Sequence, residues 1–303
     1  MARMKILASL LLLAAIPSLA QQRTLPLWPN GTPEPSRVVG PEIDPTTDRD
    51  RMILGKTSTR VTNISKPSLT LFPAPAGKNN GAAAVVFPGG GYSLLADLHE
   101  GVEVCQWLNS LGMTCLMVKY RVPEPGRFPE NVEDLEDAQQ AMRITHEHAA
   151  EWGIDQSKIG VVGFSAGAHL AVVLSTHPDD HSNPKAPGPT GAERPAFQMI
   201  VYPAYTTENG KVVENGKVVE AVKPTANVPP TFLVQAEDDG VKVESSVLYF
   251  LALKDAKVPA EMHIYAEGGH GYGLRATALP IGVWPSLAEK WLHSIRILGP
   301  AVP

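Results

Sequence analysis

GVVGFSAGAHLAVVL, residues 160–174, decides how the chain around it folds. The stretch starts as a short apolar run, passes through Gly163-Phe164-Ser165-Ala166-Gly167, and continues as a longer apolar segment rich in alanine and leucine. Short apolar runs bounded by glycine are typical of buried strands, and longer ones are typical of buried helices. The sequence therefore predicts a strand, a sharp turn at Ser165 and a helix.

A serine held between two glycines at such a turn has a chemical use. Gly-x-Ser-x-Gly between a strand and a helix is the nucleophile elbow, in which Gly163 and Gly167 prevent side chains from colliding. The positive end of the helix would face the oxygen of Ser165 and favour a developing anion there. The alternative is a tight turn whose serine does no chemistry. The strand before the motif and the helix after it favour the nucleophile.

A serine hydroxyl is a poor nucleophile unless a base, itself oriented by an acid, takes its proton. With this elbow the base is a histidine that follows the acid in the chain. His181 lies before two further predicted core strands, and His263 lies inside a predicted strand. His270 follows the last predicted strand and is flanked by glycines that let its loop bend. We therefore predict that His270 is the base.

The acid is expected in the loop after the predicted strand PTFLVQA. Three carboxylates compete there, Glu237, Asp238 and Asp239. The residues alone leave this choice open.

The segment FPGGGYS follows the first predicted core strand and is a candidate oxyanion hole. The backbone N–H groups of Gly90 and Gly91 would join that of Ala166 in binding the negative oxygen. The alternative is a flexible glycine turn.

Glu100, in the next helical segment, complements the positive helix end and could also orient the glycine loop. Three tyrosines that follow core strands are candidates to line the acyl or alcohol pocket: Tyr92, Tyr205 and Tyr272.

The order of elements predicts an α/β fold with a mostly parallel sheet covered by helices on both faces. TRVTNI and SLTLFPA are predicted as two initial antiparallel strands, followed by five or six strand–helix units. We expect one domain over residues 21–303. ENGKVV occurs twice in tandem, at Glu208–Val213 and Glu214–Val219, which predicts a small insertion over residues 208–220. This insertion either borders the substrate cleft or is a surface hairpin.

The first 20 of the 303 residues read as a signal peptide cleaved after Ala20. They contain a basic start, an apolar stretch of about a dozen residues and the small-residue segment SLA. Removing Arg3 and Lys5 shifts the formal net charge from −5 to −7. The absence of a basic stripe argues against a nucleic-acid partner. We expect a secreted or periplasmic protein with no membrane anchor, cofactor or metal.

Cys105 and Cys115 are the only cysteines. An even number of cysteines in an exported chain permits a disulfide, but a buried free cysteine also behaves as a small hydrophobic residue. Both readings remain open from the sequence.

Several segments together give the chain a family resemblance from about Leu25 to Leu298. It resembles the α/β-hydrolase superfamily, and more narrowly bacterial esterases of the hormone-sensitive-lipase-like and acetyl xylan esterase-like groups. The segments are FPGGGYS, YRVPEP, GIDQSKIGVVGFSAGAHLA, PPTFLVQAEDDGVKVESS and KVPAEMHIYAEGGHGYGL. The acid loop of the family commonly reads Asp-x-x-Val-Pro, and Asp238 keeps that spacing to Val241. The resemblance therefore implies Asp238 as the acid, with Asp239 as its rival because the proline is missing.

The resemblance implies a serine esterase that acts on short acyl groups, with acetylated xylan as a suggested substrate. The opening residue of the glycine loop departs from the family, which usually has His where this chain has Pro88. Two alternatives remain. One is a serine peptidase, for whose usual gating domain the chain is too short, and the other is a non-catalytic carbohydrate-binding homologue.

Overall fold

The computed structural model describes residues 22–48, 52–207 and 218–300. The predicted signal peptide at residues 1–20 and most of the repeated insertion, residues 208–217, lie outside the described residues.

Ten strands and five α-helices are found in the described residues. The strands are β1 (Arg23–Pro26), β2 (Met52–Ile53), β3 (Lys56–Thr57), β4 (Ser68–Phe72), β5 (Ala83–Phe87), β6 (Thr114–Lys119), β7 (Ile159–Phe164), β8 (Gln198–Val201), β9 (Thr231–Ala236) and β10 (Ala260–Tyr265). The helices are α1 (Glu103–Ser110), α2 (Glu133–Glu147), α3 (Ala166–Thr176), α4 (Glu244–Asp255) and α5 (Trp284–Ser294).

Eight of these strands form one sheet in the order β1-β4-β6-β5-β7-β8-β9-β10. β4 runs antiparallel to β1 and to β6, and every pair from β6 to β10 is parallel. This confirms the predicted mostly parallel α/β sheet. Because parallel strands end at the same edge, the loops after β5, β7, β8, β9 and β10 come together there.

Alternating side chains of the buried strands pack on opposite faces of the sheet. In β5, Val85 and Phe87 join the core beneath α2, α3 and α4, whereas Val86 joins the core beneath α1 and α5. Burial on both faces explains why these strands are apolar throughout rather than alternating. No helix of the described residues is both long and apolar enough to cross a bilayer.

The prediction for the N-terminal region is partly wrong. TRVTNI is not a strand, because Val61 and Ile64 form only isolated bridges, to Leu95 and Val122. The outer antiparallel strand is instead β1, which pairs with β4 at the edge of the sheet. β1 is short and mostly exposed, so it has little of the apolar alternation that reveals a half-buried strand.

Cys105 of α1 and Cys115 of β6 form a disulfide, with their Cα atoms 5.1 Å apart. Both residues are fully buried. The cross-link therefore fastens α1 to the sheet within the apolar core, so the cysteines are both paired and part of the packing.

A buried cluster of charged groups lies at the start of α2. Arg121 donates to both carboxylate oxygens of Asp137 at 3.0–3.1 Å and to Glu136 at 3.0 Å. Asp134 is also buried, and its carboxylate accepts the backbone N–H of Leu135 at 3.0 Å. Burial raises the pKa of Asp134 from an ordinary 3.8 to about 7.

This raised pKa predicts that stability falls as the pH rises. The folded protein keeps the Asp134 proton where the unfolded chain has already lost it, so the unfolding free energy contributed by this group decreases between about pH 4 and pH 7. The slope for one group is at most about 1.4 kcal/mol per pH unit. Asp134→Asn has no proton to lose and should show a flatter dependence, measured by urea denaturation at several pH values. The exposed Glu147→Gln on the same helix is the control, and parallel profiles for D134N and wild type would contradict the assignment.

Candidate active site

The turn at Ser165 is as sharp as the sequence motif predicts. Ser165 has φ 53° and ψ −116°, and its N–H donates to the carbonyl of Val201 at 3.0 Å. A Cβ on Gly163 would overlap the carbonyl oxygen of Gly167, and one on Gly167 would overlap that of Phe87. Both glycines are therefore required, because α3 begins in direct backbone contact with β7 and β5.

His270 lies next to Ser165 although 105 residues separate them in the chain. Its Nε2 is 2.9 Å from Ser165 Oγ, and its Nδ1 is 2.9 Å from both carboxylate oxygens of Asp239. The carboxylate accepts the Nδ1 proton, which leaves Nε2 free to accept the proton of the serine hydroxyl. This is the arrangement that activates a serine nucleophile.

The acid in this arrangement is Asp239, so the choice of Asp238 is wrong. The side chain of Asp239 is fully buried, and its carboxylate also accepts the N–H of Val241 at 2.7 Å and the Gln235 amide at 3.2 Å. These bonds fix the carboxylate in the orientation that meets His270. Successive residues of the turn face opposite ways, which the spacing to Val241 did not reveal.

Asp238 has a different position and contact. It is exposed, and its Oδ1 accepts the N–H groups of Gly268 at 2.9 Å and Gly269 at 2.7 Å. These two glycines immediately precede His270. Asp238 therefore ties the loop of the acid to the loop of the histidine without touching the imidazole.

The glycine loop after β5 lies beside Ser165. Gly90 and Gly91 line the same cleft as Ser165 and His270. Gly90 has φ 139°, and a Cβ there would overlap the carbonyl oxygen of Leu94, so only glycine fits. Ala166 is the first residue of α3, where a backbone N–H has no partner within its own helix. Gly90 and Gly91 thus share the cleft with Ser165, and Ala166 follows the serine at the positive end of the helix.

Comparison with known proteins agrees with this architecture. A family model of the alpha/beta hydrolase fold matches residues 84–223. A crystal structure of the acetyl ester-xyloside bifunctional hydrolase from Caldicellulosiruptor lactoaceticus superimposes with a TM-score of 0.67 and 31% identity, covering 91% of this chain and 97% of that one. The chain belongs to the α/β-hydrolase family.

Two curated relatives of this α/β-hydrolase are named for xylan chemistry. The acetylxylan esterase of Xylanibacter ruminicola is 30% identical over 236 residues, which are 71% of this chain and 45% of the relative. The endo-1,4-beta-xylanase B of Butyrivibrio fibrisolvens is 30% identical over 204 residues, which are 62% of this chain and 32% of the relative. The hydrolase thus spans less than half the length of either relative.

Two of the three tyrosines predicted to line the pocket are buried instead. Tyr92 is 3% exposed and its hydroxyl is 2.7 Å from Nδ1 of His169, while Tyr272 is 3% exposed and packs edge-on against Tyr202. Tyr205 is half-buried, and its hydroxyl lies 3.7 Å from where a Cβ on Gly91 would stand, so it approaches the cleft. A position after a core strand thus places these residues at the edge of the sheet where Ser165 lies. It does not show which side chains point into the cleft.

The cleft of the hydrolase has a volume of about 450 Å³. Besides the glycine loop, Ser165 and His270, its walls include residues from the N-terminal part of the chain, Ile53 and Arg60. Ile53 belongs to the β2–β3 hairpin, which Arg275 fastens by donating to the carbonyls of Ile53, Lys56 and Thr57. No cluster of three or more potential metal ligands occurs in the parts of the chain that the structure describes.

The sequence analysis did not single out Tyr202. This residue directly follows β8, is fully buried, and has its ring centroid 4.8 Å from that of His270. The sequence signal for Tyr202 is its position directly after a buried parallel strand. The sequence-based prediction assigned the pocket role to Tyr205 instead. Tyr202 therefore forms the wall against which the histidine ring packs.

The different contacts of the two aspartates predict different losses of activity. Asp239→Asn keeps the size of the side chain but cannot hold the imidazole in the required tautomer, so we expect ester hydrolysis to fall by about 10³- to 10⁴-fold. Asp238→Asn keeps an oxygen that can accept the N–H groups of Gly268 and Gly269, and its loss should stay below about tenfold. The measurement is kcat/KM for p-nitrophenyl acetate. A larger loss in D238N than in D239N would show that Asp238 is the acid.

Proposed function

We propose that the protein is an exported serine esterase that hydrolyses short-chain, acetyl-type esters on xylan. The observation that carries the proposal is the hydrogen-bond chain from Ser165 Oγ through His270 to the buried carboxylate of Asp239. A serine, a histidine and a carboxylate in this geometry are suited to acyl transfer.

The first step forms an acyl-enzyme. As Ser165 Oγ attacks the carbonyl carbon of the ester, its proton passes to Nε2 of His270, and the Asp239 carboxylate stabilises the resulting imidazolium. The tetrahedral intermediate collapses when the bond to the alcohol oxygen breaks. His270 gives its proton to that oxygen, and the alcohol leaves while the acyl group stays on Ser165.

The second step returns the enzyme to its starting state. A water molecule gives a proton to His270 as its oxygen attacks the acyl carbon, and the bond to Ser165 Oγ then breaks. The proton goes back to Oγ, and the carboxylic acid is released. In both steps the negative oxygen would be bound by the N–H of Ala166 and by N–H groups of the glycine loop. Removing one such donor typically raises the activation free energy by about 3 kcal/mol.

The substrate class is supported by the relatives and by the shape of the site. Two curated relatives are named an acetylxylan esterase and an endo-1,4-beta-xylanase, and the solved neighbour is named an acetyl ester-xyloside bifunctional hydrolase. The cleft is lined partly by half-exposed residues, Ile53 and Arg60, so a large alcohol can remain outside while the acyl group enters. A net charge of −5 argues against nucleic acid as the substrate.

Export is supported by two features. The first 20 residues have the pattern of a cleavable signal peptide, and the Cys105–Cys115 disulfide is typical of proteins in oxidising compartments. Expression of the full chain in a bacterial host should yield a periplasmic or secreted protein that begins at Gln21. Recovery only in the cytoplasm, with Met1 retained, would contradict export.

Substitution of the nucleophile gives the direct test. Ser165→Ala should lower kcat/KM for p-nitrophenyl acetate on the order of 10⁴- to 10⁶-fold, because the acyl-enzyme can no longer form. The wild-type protein should also release acetate from acetylated xylo-oligosaccharides, and should hydrolyse p-nitrophenyl acetate faster than the octanoate ester.

The control is the melting temperature, which S165A should keep because the hydroxyl contributes little packing. Unchanged turnover in a folded S165A protein would end the proposal. Activity on simple esters without acetate release from the xylo-oligosaccharides would leave an esterase and remove xylan as its substrate.

A further inference from the structure

We propose that Glu100 is a positioning residue that aligns the glycine loop and the histidine loop with Ser165. The inference rests on the proposed esterase function, because it concerns how that site is held together. It assigns to one buried carboxylate the alignment of two loops that border the serine.

An unusual turn brings Glu100 to the site. Residues 98–102 form one π-helical turn ahead of α1, in which the N–H of Val102 donates to the carbonyl of Asp97 at 2.9 Å. A Cβ on Gly101 would overlap the sulfur of Met117, so this turn lies directly on strand β6. Such turns are often found at functional sites, because they redirect a side chain at some cost in regular helix geometry.

The Glu100 carboxylate accepts one hydrogen bond from the glycine loop and one from Tyr202, which in turn binds the histidine loop. Oε2 accepts the N–H of Gly89 at 2.7 Å, at the start of the glycine loop. Oε1 accepts the hydroxyl of Tyr202 at 2.8 Å, and that hydroxyl in turn accepts the N–H of Gly273 at 3.1 Å in the histidine loop. Glu100 is only 3% exposed, so little water competes for these bonds.

Each bond holds a group that lies next to a residue used in the proposed chemistry. Gly89 precedes the candidate oxyanion donors, and a Cβ on it would lie 2.8 Å from Cβ of Ser165. Tyr202 packs against one side of the ring of His270, whose side chain is 31% exposed. The carboxylate therefore fixes the distance between the glycine loop and Ser165. Through Tyr202 it also fixes the surface against which the imidazole of His270 packs.

Glutamine cannot replace Glu100 in this role. The amide of glutamine has one acceptor oxygen, so if it binds the N–H of Gly89, its NH2 group faces the Tyr202 hydroxyl, which already accepts the N–H of Gly273 and would have no acceptor for its own proton. Glu100→Gln would thus leave one of the two loops without its anchor. A displacement of about 1 Å at reacting groups can cost about 10²-fold in rate.

The test compares Glu100→Gln, Tyr202→Phe and the double variant in hydrolysis of p-nitrophenyl acetate, with kcat and KM measured separately. Glu193→Gln is the matched control. Glu193 is fully buried and accepts Arg143 at 2.8 Å and the N–H of Thr190, but it lies near the start of β8, at the opposite edge of the sheet from Ser165.

We expect kcat of E100Q to fall by about 10- to 100-fold while KM stays within about threefold, because Glu100 is only 3% exposed and glutamine keeps its size in the cleft wall. Y202F keeps the aromatic ring and loses only the hydroxyl, so it should fold and lose about tenfold in kcat. Because Glu100 and Tyr202 act through one network, the double variant should lose no more than the larger single loss. E193Q should keep kcat, whatever its effect on the melting temperature.

The inference is overturned if folded E100Q keeps kcat within about twofold of the wild type, or if the losses in E100Q and Y202F multiply in the double variant. It is also overturned if E193Q loses as much kcat as E100Q, since the effect would then follow any buried carboxylate. Should E100Q fail to fold, unchanged kcat in Y202F overturns the inference. An inactive wild-type protein would overturn the proposed function itself, whereas an active wild type with an active E100Q removes only the role of Glu100.

Discussion

Direct backbone contact between the first turn of α3 and the ends of β5 and β7 is the constraint on which the site depends. No side chain fits at Gly163 or Gly167, because the space is filled by carbonyl groups of the neighbouring segments. This contact places Ser165 at the positive end of a helix and beside the loop after β5. An added methyl group at either glycine would force the helix away from the sheet and separate the serine from the other groups.

The loops around the serine are held by carboxylates with distinct contacts. Asp239 meets the imidazole of His270, Asp238 binds the backbone just before that residue, and Glu100 joins the glycine loop to Tyr202. Asp239 and Glu100 are buried, and a buried carboxylate is costly unless its oxygens have donors, so these two are fixed by the bonds that they make. The same property makes them effective anchors for loops that must keep a precise geometry.

The sequence predicted what local pattern and chain order determine. Ser165 was readable because the turn demands glycines at two exact positions, and His270 because only one histidine follows the last core strand between glycines. The choice between Asp238 and Asp239 depends on which way each residue of a turn faces, and spacing does not contain that information. Burial of Tyr92 and Tyr272, and the reach of Glu100 to Tyr202, arise from packing between segments far apart in the chain.

The most direct test of this account is the intact mass of the protein after incubation with diethyl p-nitrophenyl phosphate, followed by peptide mapping. The account predicts a single diethylphosphoryl adduct on Ser165, formed as His270 takes the serine proton and p-nitrophenolate leaves. The adduct should be absent in S165A and form far more slowly in His270→Ala. No adduct on folded wild-type protein, or an adduct on another residue, would contradict the assignment of Ser165 as an activated nucleophile.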